Sequence, residues 1–446
     1  MAETSFPIAK PRNALLIAYK AFADLAGKGS LFVITIVAAR RLSPESFGVF
    51  SLGSTLGWIL AVVSDCGIQL HLARAVARRP AESSRLLREW LRVRLWTAAG
   101  AAAIVTIGIA AGWSAASAEP IAILAVVYAC TGLVELLHYF YRGLSRSDVE
   151  SGLTLWQRGG TLVCGLIALA WKPDVTTLAV AMLFPVVITL IVSLRIAMRL
   201  AAGRPEGLPH KSPDGRPEGL HYTRGDASLG TDAGEPVCSW RVFRRDVWPI
   251  GAGIVLSALY FRIDVFLVQL WSGTEAVARY NAVFRLVEAL RLFPAAVLAV
   301  VLPSLVRAGD LRPLTRVAIP VTAFGVAAAV ALWIAAGWLI PLVYGAPYAS
   351  AVPAFRILLL SFPLLSLNYA LTHQLVGWDG QRAYLAICAI ALAVNVGINA
   401  RLIPLWSIEG AAWATLVTEA VITAGCCVAL WLTRSAAHAS QLVAEA

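Results

Sequence analysis

Charge is what this sequence has least of. Asp, Glu, Lys and Arg make up 14% of its 446 residues, against about 25% in a typical soluble chain. A hydrated surface for several soluble domains cannot be built from so little. Lysine is scarcer still, with five among 37 basic residues. The seven cysteines form no CxxC pair, and six of them (Cys66, Cys130, Cys164, Cys388, Cys426, Cys427) fall in apolar stretches. Neither a zinc site nor a disulfide framework is indicated. A GxxxxGK[ST] loop, a nucleophile elbow and a zinc-binding helix motif are all missing from the sequence. Their absence disfavours ATP hydrolysis and enzyme chemistry, and no cofactor or metal is implied.

What is present is apolar length. Hydrophobic residues reach 59%, and the mean hydropathy is +0.73. A transmembrane helix needs roughly 20 mainly apolar residues, so the chain has room for about twelve spans and no sizeable soluble domain. Hydropathy predicts helices at 14–38, 48–69, 93–113, 119–141, 153–171 and 177–198, then at 247–271, 278–304, 317–338, 352–376, 385–405 and 411–433. The run after Asn13 is interrupted by Lys20, Asp24 and Lys28. It fits no signal-peptide core and reads as a retained first helix.

The formal net charge of +11 raises the question of nucleic acid, and the positions of the basic residues answer it. They collect in alternate loops, among them Arg74, Arg78, Arg79, Arg85, Arg88, Arg92 and Arg94 after helix 2 and Arg241, Arg244 and Arg245 before helix 7; loops on the other side carry only Arg40, Arg41 and Lys172. This is the positive-inside pattern of a multi-pass inner-membrane protein with both termini cytoplasmic, and it disfavours nucleic-acid binding. Trp113, Trp171, Trp271, Trp338 and Trp406 fall at the opposite helix ends, where indoles favour the headgroup level.

Residues 199–246 are rich in Gly, Pro and charge and contain GRPEGL twice, at Gly203–Leu208 and Gly215–Leu220. Such composition predicts a flexible cytoplasmic linker between an N-terminal lobe, 1–198, and a C-terminal lobe, 247–446. Six helices per lobe is the arithmetic of a parallel repeat about an axis along the membrane normal. The turns after helices 1 and 7 share a spacing, Ser43-x-Glu45-x4-Phe50 and Gly273-x-Glu275-x4-Tyr280. The expected fold is therefore an all-α polytopic bundle of two six-helix lobes around a central cavity.

Ionisable groups deep in a bilayer cost a few kcal/mol and face a partner or water. Lys20, Asp24 and Lys28 recur at i, i+4 and i+8 in helix 1; Arg262 and Asp264 lie in helix 7; Arg285, Glu288 and Arg291 lie in helix 8. Two readings stay open, internal ion pairs with snorkelling lysines or the wall of a hydrated cavity. Because basic residues outnumber acidic ones in this set, a cavity built from it favours an anionic cargo. Lys20, Lys28, Arg262, Arg285 and Arg291 are the candidate substrate-binding residues, and Asp24, Asp264 and Glu288 the candidates for proton or ion coupling. His138, Arg158, His373, Asn395, Asn399 and Glu419 are also intramembrane polar residues, for which interhelical hydrogen bonding is a sufficient account.

Four stretches resemble a known family. ARRLSPESFGVFSL followed by Ser64–Arg78, Arg262–Leu305, Leu342–Ser361 and Asn395–Ala420 are similar, in order and spacing, to the polysaccharide transporters, or oligosaccharide flippases, of the superfamily that includes multidrug-and-toxin extrusion proteins. The resemblance implies a V-shaped cavity between two lobes. It also implies transport of an undecaprenyl-diphosphate-linked glycan from the cytoplasmic to the outer leaflet, with membrane lipids, a polymerase and glycosyltransferases as surroundings or partners. The rivals are a cation-coupled multidrug exporter of the same superfamily, a membrane glycosyltransferase or polymerase, and a non-transporting scaffold.

Overall fold

The computed structural model describes residues 11–110, 115–202, 243, 247–307, 311–378 and 380–445. Nearly all of the predicted linker, with both GRPEGL copies, lies outside the described residues. The first lobe comprises α1 (Pro11–Arg41), α2 (Pro44–Asp65), α3 (Ile68–Arg78), α4 (Ser83–Ala110), α5 (Ala115–Gly143), α6 (Ser147–Trp171) and α7 (Val175–Ala202). The second comprises α8 (Trp248–Ser272), α9 (Thr274–Leu290), α10 (Leu292–Arg307), α11 (Arg312–Tyr344), α12 (Val352–Gly377) and α13 (Gln381–Glu445). No strand occurs among the described residues. Nine of the described helical stretches are long and apolar enough to cross a membrane. Helix α1, the α9–α10 pair and the second arm of α13, which bends at Ser407 (φ 48°), bring the crossings to twelve.

Local chemistry explains where hydropathy misplaces a boundary. Helix α2 starts at Pro44 because Ser43 Oγ accepts the Ser46 amide at 3.2 Å and proline suits the first helical turn. It stops at Cys66 (φ 43°), followed by Gly67 (φ 85°), so the predicted 48–69 helix ends early in a left-handed elbow. Asp65 Oδ1 and Oδ2 then accept the Gln69 and Gly67 amides, both at 3.2 Å, and launch α3, a short amphipathic helix that hydropathy does not predict. The predicted 278–304 helix is two helices. Pro294 has no N–H for the Leu290 carbonyl, and the chain breaks at Arg291 between α9 and α10.

The repeat is visible in the packing. Helix α1 packs on α6, α2 on α5 and α5 on α7; correspondingly α8 packs on α13, α9 and α10 on α12, and α12 on α13. Between lobes α2 meets α9, while α2 meets α8 and α1 meets α9 as reciprocal pairs, the pattern of a pseudo-two-fold axis running through α2 and α9. The end carrying the arginine-rich α2–α4 junction is called the basic end, and the end carrying the short turns at 42–43, 172–174 and 273 the turn end.

The two ends differ in how the lobes meet. At the turn end one hydrophobic core joins them, with Ile34, Phe47 and Phe50 of the first lobe beside Val268, Tyr280, Tyr344 and Tyr348 of the second. At the basic end there are two separate cores, one around Trp90, Phe140 and Tyr141 and another around Leu305, Leu371 and Ile422. The exception is the α2–α8 seam, where a Cβ on Gly251 would collide with the Cys66 carbonyl. Two residues on, a Cβ on Gly253 would meet open space. Gly251→Ala should therefore lower the thermal unfolding temperature of the purified protein, by an overpacking penalty of about 1–3 kcal/mol, whereas Gly253→Ala should leave it within error. Equal behaviour of the two variants would contradict the close seam.

Candidate functional site

The charges expected in helices 1, 7 and 8 gather into two groups, one in each lobe. In the first lobe Lys20 Nζ lies 3.6 Å from Glu150 Oε2 on α6. Glu150 is itself held by Arg142 Nε at 2.9 and 3.0 Å, so one buried carboxylate serves two cations. Lys28 is exposed two turns along α1 and forms no salt bridge among the described residues. The side chain of Asp24 lies outside the described residues. Arg158, in the middle of α6, lays its stem against α1 at Gly27, where an added Cβ would sit 3.1 Å from its Cγ.

In the second lobe one acid is again shared. Glu288 Oε2 lies 2.7 Å from Arg285 Nη1 and 3.8 Å from Arg262 Nη2. Arg262 is 3% exposed; it also donates to Asn281 Oδ1 at 3.3 Å, and its guanidinium sits 4.7 Å from the centre of the Phe284 ring. Asp264 is not paired with an arginine: it accepts from the Tyr280 hydroxyl and from the Val265 amide at 2.8 Å. Arg291, at the α9–α10 break, forms no salt bridge among the described residues. It donates from Nε to Tyr369 OH at 3.1 Å and lies 4.1 Å from the Phe261 ring centre and 5.3 Å from that of Tyr369. Two guanidiniums, those of Arg262 and Arg285, thus share one close carboxylate. Stacking on aromatic faces gives Arg291 partial compensation, and Glu288 and Glu419 lie within electrostatic reach of it without a salt bridge.

Beside Arg291 opens a small pocket within the second lobe, lined among others by Tyr260, Phe261, Glu288, Asn395 and Glu419. Its far wall is a hydrogen-bonded set: Asn368 Nδ2 donates to Glu419 Oε2 at 2.7 Å, Thr423 Oγ1 to Asn368 Oδ1 at 2.8 Å, Asn395 Nδ2 to Thr418 Oγ1 at 3.1 Å and Asn399 Nδ2 to Asn395 Oδ1 at 2.8 Å. Glu150 and Tyr369 have no place among the sequence candidates, yet each binds one of them. Only the acid just inside a basic loop hints at Glu150. Nothing local marks Tyr369, which lies 78 residues from the arginine it binds. No group of His, Cys, Asp and Glu able to hold a metal occurs among the described residues.

Residues 17–308 match the family model described as polysaccharide biosynthesis protein. No curated protein matches the sequence. Among solved structures the chain is similar to the lipid II flippase MurJ in an inward closed conformation, with 12% identity over 94% of this chain and 87% of that one and a TM-score of 0.70. It is similar to an inward-facing multidrug resistance MATE family transporter of the MOP superfamily, with 15% identity over 94% and 95% and a TM-score of 0.65. A MOP superfamily transporter from Pyrococcus furiosus, described as having a binding pocket of reversed polarity, shares 14% identity over 94% and 95% with a TM-score of 0.61. At these identities the likeness is one of fold.

Proposed function

Because the chain belongs to the polysaccharide biosynthesis protein family, we propose that it carries an undecaprenyl-diphosphate-linked oligosaccharide, an O-antigen, capsule or exopolysaccharide repeat unit, across a bacterial inner membrane. The basic end faces the cytoplasm, in keeping with the arginine asymmetry, and the cargo moves to the outer leaflet. The observation that carries this reading is the gathering of Arg262, Arg285 and Arg291 around Glu288, with Arg291 held by a phenol and aromatic faces and in no salt bridge among the described residues. A guanidinium without a carboxylate in contact is costly inside lipid, and a diphosphate entering the cleft relieves that cost.

In this mechanism the diphosphate pairs with Arg291 and Arg262 while the polyprenyl tail stays in hydrocarbon. Lys20, Lys28 and Arg158 of the first lobe offer further positive charge near the path. Closing the basic end and parting the turn end reverses access, a population shift between two arrangements of rigid lobes. No bond of the cargo changes, so no catalytic residue is required. The drive is an ion gradient or the pull of downstream assembly. Of the coupling candidates Asp264 is the better placed to exchange a proton, since hydrogen-bond donors rather than a guanidinium hold it, whereas Glu288 is committed to two arginines.

The test is deletion of the gene in its host followed by analysis of lipid-linked sugars on each leaflet. Oligosaccharide accumulating on the cytoplasmic leaflet, with surface glycan lost and restored by the intact gene, is the expected result. Unchanged surface glycan together with heightened drug susceptibility would replace this reading by that of a multidrug exporter.

A further inference from the structure

The turn-end interface between the lobes is closed but not uniformly apolar. Tyr344 OH, Tyr348 OH, Ser51 Oγ and Arg285 Nε are buried there without a hydrogen-bond partner among the described residues. Both tyrosines are 1% exposed and belong to the shared core. Their ring centres are 5.7 Å apart, and the ring of Tyr348 meets Phe47 of the first lobe edge-on at 6.0 Å. Tyr344 lies within electrostatic reach of Arg285, as does Tyr128 of the first lobe. Ser51 is one turn along α2 from Gly48, whose backbone abuts Thr274 of the second lobe. The four orphaned atoms therefore bracket the plane where the lobes touch.

A helical Ser or Thr has a local partner within reach: Thr35, Thr55, Thr131, Thr161 and Thr189 each donate to the carbonyl four residues back, and the orphaned hydroxyls of Ser54, Ser151, Thr322 and Ser366 sit on helices that offer the same bond. A phenol cannot make that bond, and leaving it buried without a partner costs more than an ordinary hydrogen bond returns. Phenylalanine would fill the same volume at no such cost. The hydroxyls thus gain no protein partner in the closed arrangement, and an open one would give them polar partners. A tyrosine presents an apolar face with a polar tip, which matches the C–H face and hydroxyl rim of a sugar ring.

Resting on the transport reading above, we propose that Tyr344 and Tyr348, with Ser51 opposite and Arg285 at the inner end, form a second carbohydrate-contacting strip, exposed when the lobes part at the turn end. The strip takes the glycan after the cationic group has released its diphosphate.

Two measurements test it. Tyr348→Cys, in cells, should react with a membrane-impermeant maleimide added outside, above the background of the parent chain with its own cysteines. No labelling above that background would overturn the proposal. The double variant Tyr344→Phe, Tyr348→Phe should unfold at the same or a higher temperature yet display at least five-fold less surface glycan. Undiminished glycan would make the hydroxyls merely structural, and a lower unfolding temperature would mean that they are satisfied in the closed form; either result overturns the strip. The two readings fail separately. If gene deletion leaves glycan display intact, the cargo reading falls and takes the sugar assignment with it. If deletion abolishes display while the double variant retains it, only the strip falls.

Discussion

Glu288→Gln should be among the most destabilising single changes in the second lobe. The substitution keeps the shape of the side chain and removes the one carboxylate shared by Arg285 and Arg262. Breaking a buried ion pair from one side costs about 3–5 kcal/mol, because the partner stays charged and buried. Glu288 is a third exposed, whereas Arg262 is 3% and Arg285 17% exposed, which places the expected loss near the lower figure, about 3 kcal/mol. Thermal unfolding of the purified protein would report it. Adding Arg285→Met should recover part of the loss, since one cation is then no longer stranded, and a double-mutant cycle would size the coupling. Should Glu288→Gln unfold like the parent, water in the cleft must already solvate both arginines.

Arg291→Gln is expected to act on transport and hardly at all on stability. Arg291 forms no salt bridge among the described residues, so its loss strands no acid, and Tyr369 OH can turn toward the new amide. On the transport reading proposed above, what disappears is a charge-assisted contact to phosphate, worth about 1.5–3 kcal/mol, or roughly 10- to 100-fold in affinity. Surface glycan should fall by a similar factor at unchanged protein level, with lipid-linked oligosaccharide building up on the feeding leaflet. Arg291→Lys should recover only part, because an ammonium keeps the charge and loses the flat stack on Phe261 and Tyr369. Normal glycan display in Arg291→Gln would remove this residue from the cargo path.

Both expectations depend on features that are unequally legible in the sequence. The spans could be read because each is an apolar run of sufficient length, and the Arg asymmetry ordered their ends. Helix α3 could not, being eleven residues long with a polar face, too short and too polar to stand out as an apolar run. Pro294 was visible, yet that the helix breaks at Arg291 emerges only from the structure. Helical spacing brought Arg285 and Glu288 together correctly, since both lie on one helix. Lys20 with Glu150, Arg291 with Tyr369 and Asp264 with Tyr280 join different helices, and no periodicity reports such partners. Asp264 illustrates the point: in the sequence it is the natural counter-ion of Arg262, two residues away, but in the structure a phenol on the next helix occupies it.

Helix α2 touches the second lobe backbone to backbone near both of its ends, at Gly48 against Thr274 and at Cys66 against Gly251. A rod held at two points resists sliding along its neighbour. Parting the turn end, as the transport reading requires, has to give up the Gly48–Thr274 contact, while the Cys66–Gly251 contact at the basic end can stay as the pivot of the motion. The position least free to change is then the one at that pivot, where Gly251 has no side chain to spare.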